Sequence, residues 1–125
     1  MKDRPMQPMD AYKAIIDHLA NKTSAEGHAA NVTAEGMFSR APAHDDFNKF
    51  VQGLSTEQRE ILAKMLHTER TDAIHDSLAL LDWWMDTRGI KITIHGEPMP
   101  TGFHEMGLHG DYIARCEGMN WPDEE

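Results

Sequence analysis

The sequence predicts a mainly α-helical fold, a small helical bundle around one long helix at about residues 55–88. One short β-strand at 90–95 and an irregular C-terminal segment follow it. Residues 55–88 contain no Gly or Pro, and their apolar residues recur at helical spacing. Directly after Gly89 the period changes, because Ile90, Ile92 and Ile94 alternate with polar residues, as in a half-buried strand.

A first helix is predicted from apolar residues at i, i+3, i+4 and i+7, namely Tyr12, Ile15, Ile16 and Leu19. Asp10 is placed to cap its N-terminus, and we expect the helix to end near Asn21. Residues 1–9 contain two Pro and little periodicity, which predicts a mobile tail. Residues 22–40 are rich in Gly, Ala, Ser, Thr and Asn, which predicts a long loop with at most a short helical turn.

A second, short helix is predicted from Asp45, as its cap, to Gly53, and the long helix follows at once. Ser55 and Gln58 have the spacing of a capping box, so the long helix should begin at Thr56. We expect Gly89 to end it as a left-handed cap.

The two halves of the long helix carry apolar stripes that point in different directions, with a polar run, 67–72, between them. Two structures fit this pattern. One is a continuous helix whose halves pack on different neighbours, which the absence of Gly and Pro favours. The other is a pair of helices with a break near 68–71.

The strand at 90–95 has no second strand of similar quality anywhere in the chain. Its backbone groups need partners. We expect it to pair with an irregular segment such as 99–103, with part of the loop at 28–33, or with the same strand of a second molecule. The third arrangement predicts a homodimer.

The C-terminal segment is apolar enough to pack, and a short helix is expected from about His109 to Glu117, ended by Gly118. Cys116 is predicted to be a buried small hydrophobic residue. Trp83 and Trp84 are neighbours on a helix, about 100° apart, so both rings cannot share one core face. One of them is expected at a boundary or an interface.

Composition sets broad limits on class and partners. A chain of 125 residues fits a single helical domain, 1–125, with its own core. A formal net charge of -9 opposes binding to nucleic acid, and the short apolar runs predict no membrane span. One Cys and no recognisable signal peptide predict a cytoplasmic protein.

Candidate metal ligands lie in the polar run of the long helix and in the C-terminal segment: Asp72, His75, Asp76, His104, His109 and Asp111. Asp72 and His75 have the i, i+3 spacing that helical metal ligands use, and His and carboxylate groups suit a divalent metal. The alternative is a solvated or salt-bridged face, in which Arg70 neutralises its acidic neighbours. No phosphate-binding Gly-rich loop and no nucleophile elbow is present.

Two functions follow from these observations. The first is a small, non-enzymatic interaction protein that binds a protein partner or itself. The motivation is its acidic charge, its nine Met and three Trp, and a strand without a partner. The alternative is a metal-dependent, hydrolase-like enzyme that uses the candidate ligands above, with a divalent metal as its cofactor.

Overall fold

The computed structural model describes residues 6–25, 27–101 and 107–124 and confirms the mainly helical fold. In chain order the elements are α1 (Pro8–Ala25), α2 (His28–Glu35), α3 (Asp45–Gln52), α4 (Thr56–Arg88), β1 (Thr93–Ile94), β2 (Glu97–Pro98) and α5 (Gly107–Cys116). Short 3₁₀ turns lie at Pro42–His44 and Pro122–Glu124. Within the described residues, no helix is both long and apolar enough to cross a membrane.

The long helix α4 begins and ends where the sequence predicts. The Gln58 backbone N–H donates to Ser55 Oγ at 3.1 Å, and the Ser55 N–H donates to Gln58 Oε1 at 2.9 Å, which completes the capping box. The helix ends at Arg88, and Gly89 follows with φ 73°. It is continuous through the polar run, so the alternative of two helices is wrong.

The predicted loop at 22–40 is wrong in two places. Helix α1 continues to Ala25 instead of ending near Asn21, and α2 occupies 28–35. Three Ala in eight residues favour a helix there, since Ala has the highest helix propensity. Val32 anchors α2 because it is fully buried. The predicted tail at 1–9 overlaps the first turn of α1, which begins at Pro8, and residues 1–5 lie outside the described residues.

Helix α3 occupies the predicted segment, but Asp45 is its first residue instead of its cap. A 3₁₀ turn at Pro42–His44 leads into it and moves the boundary back by one residue. The corner between α3 and α4 is closed by Arg59. Its guanidinium donates to the Val51 carbonyl at 3.0 Å and to the Gln52 carbonyl at 3.1 Å, two of the carbonyls at the C-terminus of α3.

The predicted strand at 90–95 is shorter and finds its partner in the same chain. β1 pairs antiparallel with β2, with Thr93 opposite Pro98 and Ile94 opposite Glu97. One further bond, from Met99 N–H to the Ile92 carbonyl at 2.9 Å, extends the ladder. The ladder is short because Pro98 has no N–H to donate. A missing partner strand therefore no longer argues for a dimer.

Helix α5 begins two residues before the predicted start and ends at Cys116. Asp82 of α4 caps it, since one carboxylate oxygen accepts the Leu108 N–H at 3.2 Å. Cys116 is exposed, so the prediction of a buried residue is wrong. It occupies the last position of α5, past the buried residues Leu108 to Ala114.

The chain divides into two compact units, and the prediction of one domain over 1–125 stays a prediction. Unit 1 comprises residues 1–21 and 73–125, and unit 2 comprises 22–72. The core of unit 1 is formed by buried residues of α1, α5 and the segments around them: Ala11, Tyr12, Ile16, Ala20, Met99, Leu108, Tyr112 and Trp121. In unit 2 the buried residues among the described side chains are Val32, Asn48 and Val51.

Candidate functional site

Two of the predicted metal ligands come together in unit 1. The imidazole rings of His75 on α4 and His109 on α5 meet edge to face, with 5.2 Å between their centroids. His75 Nδ1 lies 3.0 Å from Asp76 Oδ1, a contact between neighbours on the helix surface. Nδ1 of His109 is buried and has no hydrogen-bond partner among the described residues. Such a nitrogen is available to a ligand or to a water molecule.

Among the described residues, neither Asp72 nor Asp111 joins this pair in a group that could hold a metal ion. Asp111 is fully buried, and its carboxylate accepts a hydrogen bond from the Tyr12 hydroxyl. Asp72 is exposed on the unit 2 part of α4. His104 lies outside the described residues. Among the residues that are described, no three His, Cys, Asp or Glu side chains are grouped closely enough to hold a metal ion.

Unit 1 contains a second polar network, which the sequence did not predict. The Arg115 guanidinium donates to Asp17 Oδ1 at 2.6 Å and to the Met119 carbonyl at 2.7 Å. Asp17 also accepts the indole N–H of the buried Trp121 at 3.3 Å. These bonds tie α1, α5 and the C-terminal segment together. The two partners of Asp17 are 98 and 104 residues away in sequence, so no local pattern could have indicated those bonds.

Unit 2 has an aromatic cluster that the sequence also did not predict, formed by His28, Phe38, His44 and Phe47. His28 stacks on Phe38 with 3.9 Å between the ring centroids, and His44 stacks on Phe47 at 5.0 Å. The amide of Asn48 fixes the chain beside it. Its Oδ1 accepts the Phe38 N–H at 2.7 Å, and its Nδ2 donates to the Ser39 carbonyl. These bonds give the cluster a structural role in holding the segment after α2.

A different kind of surface lies at the C-terminal end of α4. Four large apolar side chains are exposed there: Leu80 at 60 %, Trp83 at 47 %, Trp84 at 43 % and Ile90 at 42 %. We call these four residues the α4 patch. Beside them is a groove of about 550 Å³ lined by Ser77, Leu80, Leu81, Trp84 and Ile90. Leu81 packs against the core of unit 1, so the groove extends from the core to the surface.

The two Trp rings of the α4 patch are held by each other and by a cation. They meet nearly perpendicular, with 5.8 Å between their centroids. The Arg88 guanidinium carbon lies 5.4 Å from the centroid of the Trp83 ring. Trp has few rotamers, and these two rings are already restrained. A partner that binds them would therefore cause only a small further loss of side-chain entropy. The sequence predicted one Trp at a boundary or interface, and the structure exposes both.

A comparison with protein-family models places the chain in a family by a match over residues 5–123. The chain belongs to DUF6547, a family of unknown function. Searches of curated proteins and of solved structures found no match. The family membership covers both units and all of the side chains described above.

The DUF6547 chain has a larger groove in unit 2, of about 690 Å³, between α2 and α4. Its lining contains Ala and Thr together with Glu60, Lys64 and His67, and it has no large apolar side chain. A partner there would find no Trp, Phe, Leu or Ile side chain to cover. The α4 patch offers two Trp and a Leu that are 43–60 % exposed, so each still has apolar surface that a partner can remove from water.

Proposed function

We propose that this protein works by binding a protein partner or a second copy of itself, with no chemistry of its own, and that the α4 patch is the surface it uses. The exposure of Leu80, Trp83 and Trp84 at the end of α4, and of Ile90 just after it, supports this proposal. The largest exposed apolar patch on a monomeric protein is often an interaction site. Trp is also among the residues that contribute most to binding energy at interfaces.

Two further features are consistent with an interaction protein. None of the 33 residues of α4, which is described throughout, is fully buried, although long helices usually owe their stability to packing. A partner that covers the α4 patch would supply the missing burial. We place the protein in the cytoplasm, since its single Cys and its net charge of -9 fit a reducing compartment and a dissolved protein.

The test replaces one exposed side chain of the α4 patch and compares it with an equally exposed one elsewhere. Leu80→Gln removes apolar surface from the patch. Met65→Gln makes a similar change at a residue of α4 that is also 60 % exposed but lies in unit 2. Both substitutions should leave the fold intact, because exposed positions change stability little.

We expect the dissociation constant of the Leu80→Gln protein to rise by about tenfold or more, corresponding to roughly 1.4 kcal/mol of binding free energy. The Met65→Gln protein should associate as wild type does. Sedimentation velocity over a concentration series measures self-association, and affinity capture measures partner binding. If the two substitutions change association equally, the α4 patch is not the binding surface. A wild-type protein that is a strict monomer and captures nothing would contradict the proposed function itself.

A metal-dependent, hydrolase-like enzyme is the second candidate function, and the contact between His75 and His109 favours it. Two imidazoles lie in contact, one of them with a buried nitrogen that has no partner among the described residues, and imidazole is a common ligand of divalent metals. Elemental analysis of protein purified without added metal or chelator tests this candidate. Near-stoichiometric metal that is lost in His75→Gln, together with a lower melting temperature in EDTA, would support it. Metal-free protein that EDTA does not affect would exclude it.

A further inference from the structure

We propose that the occupant of the α4 patch is a second copy of this chain, lying antiparallel along residues 73–88. In this arrangement Leu80 packs against Trp83 of the partner subunit, and Asp76 pairs with Arg88 of the partner subunit. The inference rests on the proposed function, since it names the partner that the same surface would bind.

The first observation is the spacing of the exposed residues on the unit 1 part of α4. Ala73, Asp76, Leu80, Trp83 and Thr87 follow at intervals of three, four, three and four residues, and all five are exposed. Alternation of three and four is the spacing of the seam along which two α-helices pack. The core-facing residues Ile74, Leu78, Leu81 and Met85 lie on the other side of the helix, against unit 1. This outer seam is therefore separate from the packing that holds the fold.

The second observation is the position of charge at the two ends of the seam. Asp76 is near the first end, and 79 % of its side chain is exposed although it contacts His75. Arg88 follows the other end. Its guanidinium lies over the ring of Trp83, a seam residue, so the cation is on the seam side of the helix. Along the seam the order is thus acid, apolar, base.

A surface with this order is complementary to itself when the second copy runs in the opposite direction. If Leu80 lies opposite Trp83 of the partner subunit, Asp76 comes opposite Thr87 of the partner subunit, next to Arg88. Two-fold symmetry makes each contact twice. A parallel pair would instead place Asp76 against Asp76 and Arg88 against Arg88, and like charges in contact are unfavourable. The charge order selects the antiparallel pair.

The size of the seam sets the expected strength of this dimer. Sixteen helical residues span about 24 Å, and stable interfaces bury about 800 Å² on each partner. The apolar seam residues Leu80 and Trp83 supply only part of that area. The two chains also carry -9 each, which opposes their approach. We therefore expect a weak dimer, with a dissociation constant of micromolar order, that forms and separates with concentration.

Charge exchange across the seam tests both the partner and the direction. In Asp76→Arg the seam has cations at both ends, and in Arg88→Asp it has anions at both ends. For either protein alone, the dissociation constant of the dimer should be roughly tenfold higher than for wild type, because each substitution acts twice in a symmetric pair. An equimolar mixture of the two should regain dimer, since every cation then meets an anion.

Glu117→Arg is the matched control. It makes the same change in net charge as Asp76→Arg, at an exposed residue after α5, and should dimerise at least as well as wild type. Thermal melting of each variant by circular dichroism shows that it is folded. Sedimentation velocity with one of the two mixed proteins fluorescently labelled identifies the mixed dimer directly.

Recovery of dimer in the mixture, with weak association of each protein alone, is the expected result. Weak association of both proteins and of their mixture would overturn the antiparallel seam. Wild-type protein that stays monomeric at all concentrations would overturn the inference but not the proposed function, because binding to another protein through Leu80 is measured separately by affinity capture. If Glu117→Arg weakens the dimer as much as Asp76→Arg does, the net charge of the chain controls dimerisation and the proposed seam is wrong.

Discussion

At the scale of single residues, Asp111 shows how unit 1 accommodates a carboxylate inside its core. The side chain is fully buried, and the hydroxyl of Tyr12, itself 1 % exposed, donates a hydrogen bond to it. A buried charged group costs several kcal/mol unless hydrogen bonds replace those of water. Tyr12 is on α1 and Asp111 on α5, so their bond also joins two helices that are far apart in sequence.

Replacing Tyr12 by Phe isolates this hydrogen bond, because the ring keeps its packing in the core. We expect the free energy of unfolding to fall by about 1.5–3 kcal/mol, the usual contribution of a hydrogen bond to a charged group. Urea unfolding at neutral pH measures the loss. A matched change on the same helix is Ile15→Val, at an exposed position, which should alter stability much less. Equal effects of the two would show that the bond contributes nothing.

Cys116 is the second residue whose environment makes a measurable prediction. Partial burial of the thiol raises its pKa, repulsion from Glu117 raises it further, and a hydrogen bond with Tyr112 opposes them without reversing the shift. The thiolate is the reactive form, so a raised pKa lowers reactivity at a given pH. The residue as a whole is nonetheless exposed, at the last position of α5.

We expect iodoacetamide to alkylate Cys116 more slowly in the folded protein than in urea at about pH 8, and the difference should shrink as the pH rises above the unfolded pKa of about 8.5. Mass spectrometry of samples taken over time measures both rates. Faster reaction in the folded state at that pH would mean that the pKa is lowered instead of raised.

At the scale of elements, the start of α5 depends on a close approach between backbone and side chain. Gly107 has φ 77°, a left-handed conformation that favours glycine. A Cβ added there would lie 2.5 Å from Asp82 Oδ2. The same carboxylate accepts the Leu108 N–H, so it cannot retreat without breaking the cap of α5. Glycine thus serves both the turn and the contact.

Gly107→Ala should therefore destabilise the protein more than Gly118→Ala. Gly118 has almost the same φ, 79°, but a Cβ there would meet nothing within 4 Å. We expect Gly118→Ala to cost about 1–2 kcal/mol from backbone strain alone, and Gly107→Ala to cost at least as much again. Urea unfolding of both variants gives the difference. If the two costs agree, Asp82 moves freely and does not constrain α5.

The elements that the sequence predicted correctly are those with local signals. The capping box of Ser55 and Gln58 marks the start of α4, and the left-handed Gly89 marks its end. Both signals depend only on residues within one helical turn. The helix α2 was missed, since eight residues with a single buried Val give almost no periodicity. β2 was missed as a strand because two residues that include a Pro carry no strand signal.

The same distinction applies to the candidate sites. That Trp83 and Trp84 cannot both enter one core follows from helix geometry and needed only their adjacency in sequence. The contact of His75 with His109 needed the fold, because 34 positions separate them and nothing local indicates it. The hydrogen bond from Tyr12 to Asp111 likewise joins residues 99 positions apart, so no local pattern indicates it.

At the scale of the whole molecule, the chain passes between its two units inside helices. Unit 2 begins within the residues of α1, and α4 continues from unit 2 into unit 1 without interruption. A boundary inside a helix differs from a flexible linker, because backbone hydrogen bonds of the helix cross the boundary. If one unit unfolds, the last helical turn of the other unit loses those bonds. This favours cooperative unfolding, the behaviour that the prediction of a single domain also implies.

The positions of the Trp residues allow this cooperativity to be measured. All three, Trp83, Trp84 and Trp121, lie in unit 1, so Trp fluorescence reports unit 1 alone, whereas far-ultraviolet circular dichroism reports the helices of both units. Val32 is fully buried in unit 2, and Val32→Ala should cost unit 2 about 2 kcal/mol through the loss of two buried carbons.

If the chain is one domain, Val32→Ala lowers the urea midpoint of the fluorescence transition as much as that of the circular dichroism transition, although no Trp is in unit 2. The coincidence of two probes is the usual sign of a two-state transition. Ala34→Ser, an exposed change on the same helix, serves as the control and should move neither midpoint appreciably. A fluorescence midpoint that stays at the wild-type value, while the circular dichroism trace becomes biphasic, would mean that the units unfold independently and that α4 transmits no stability between them.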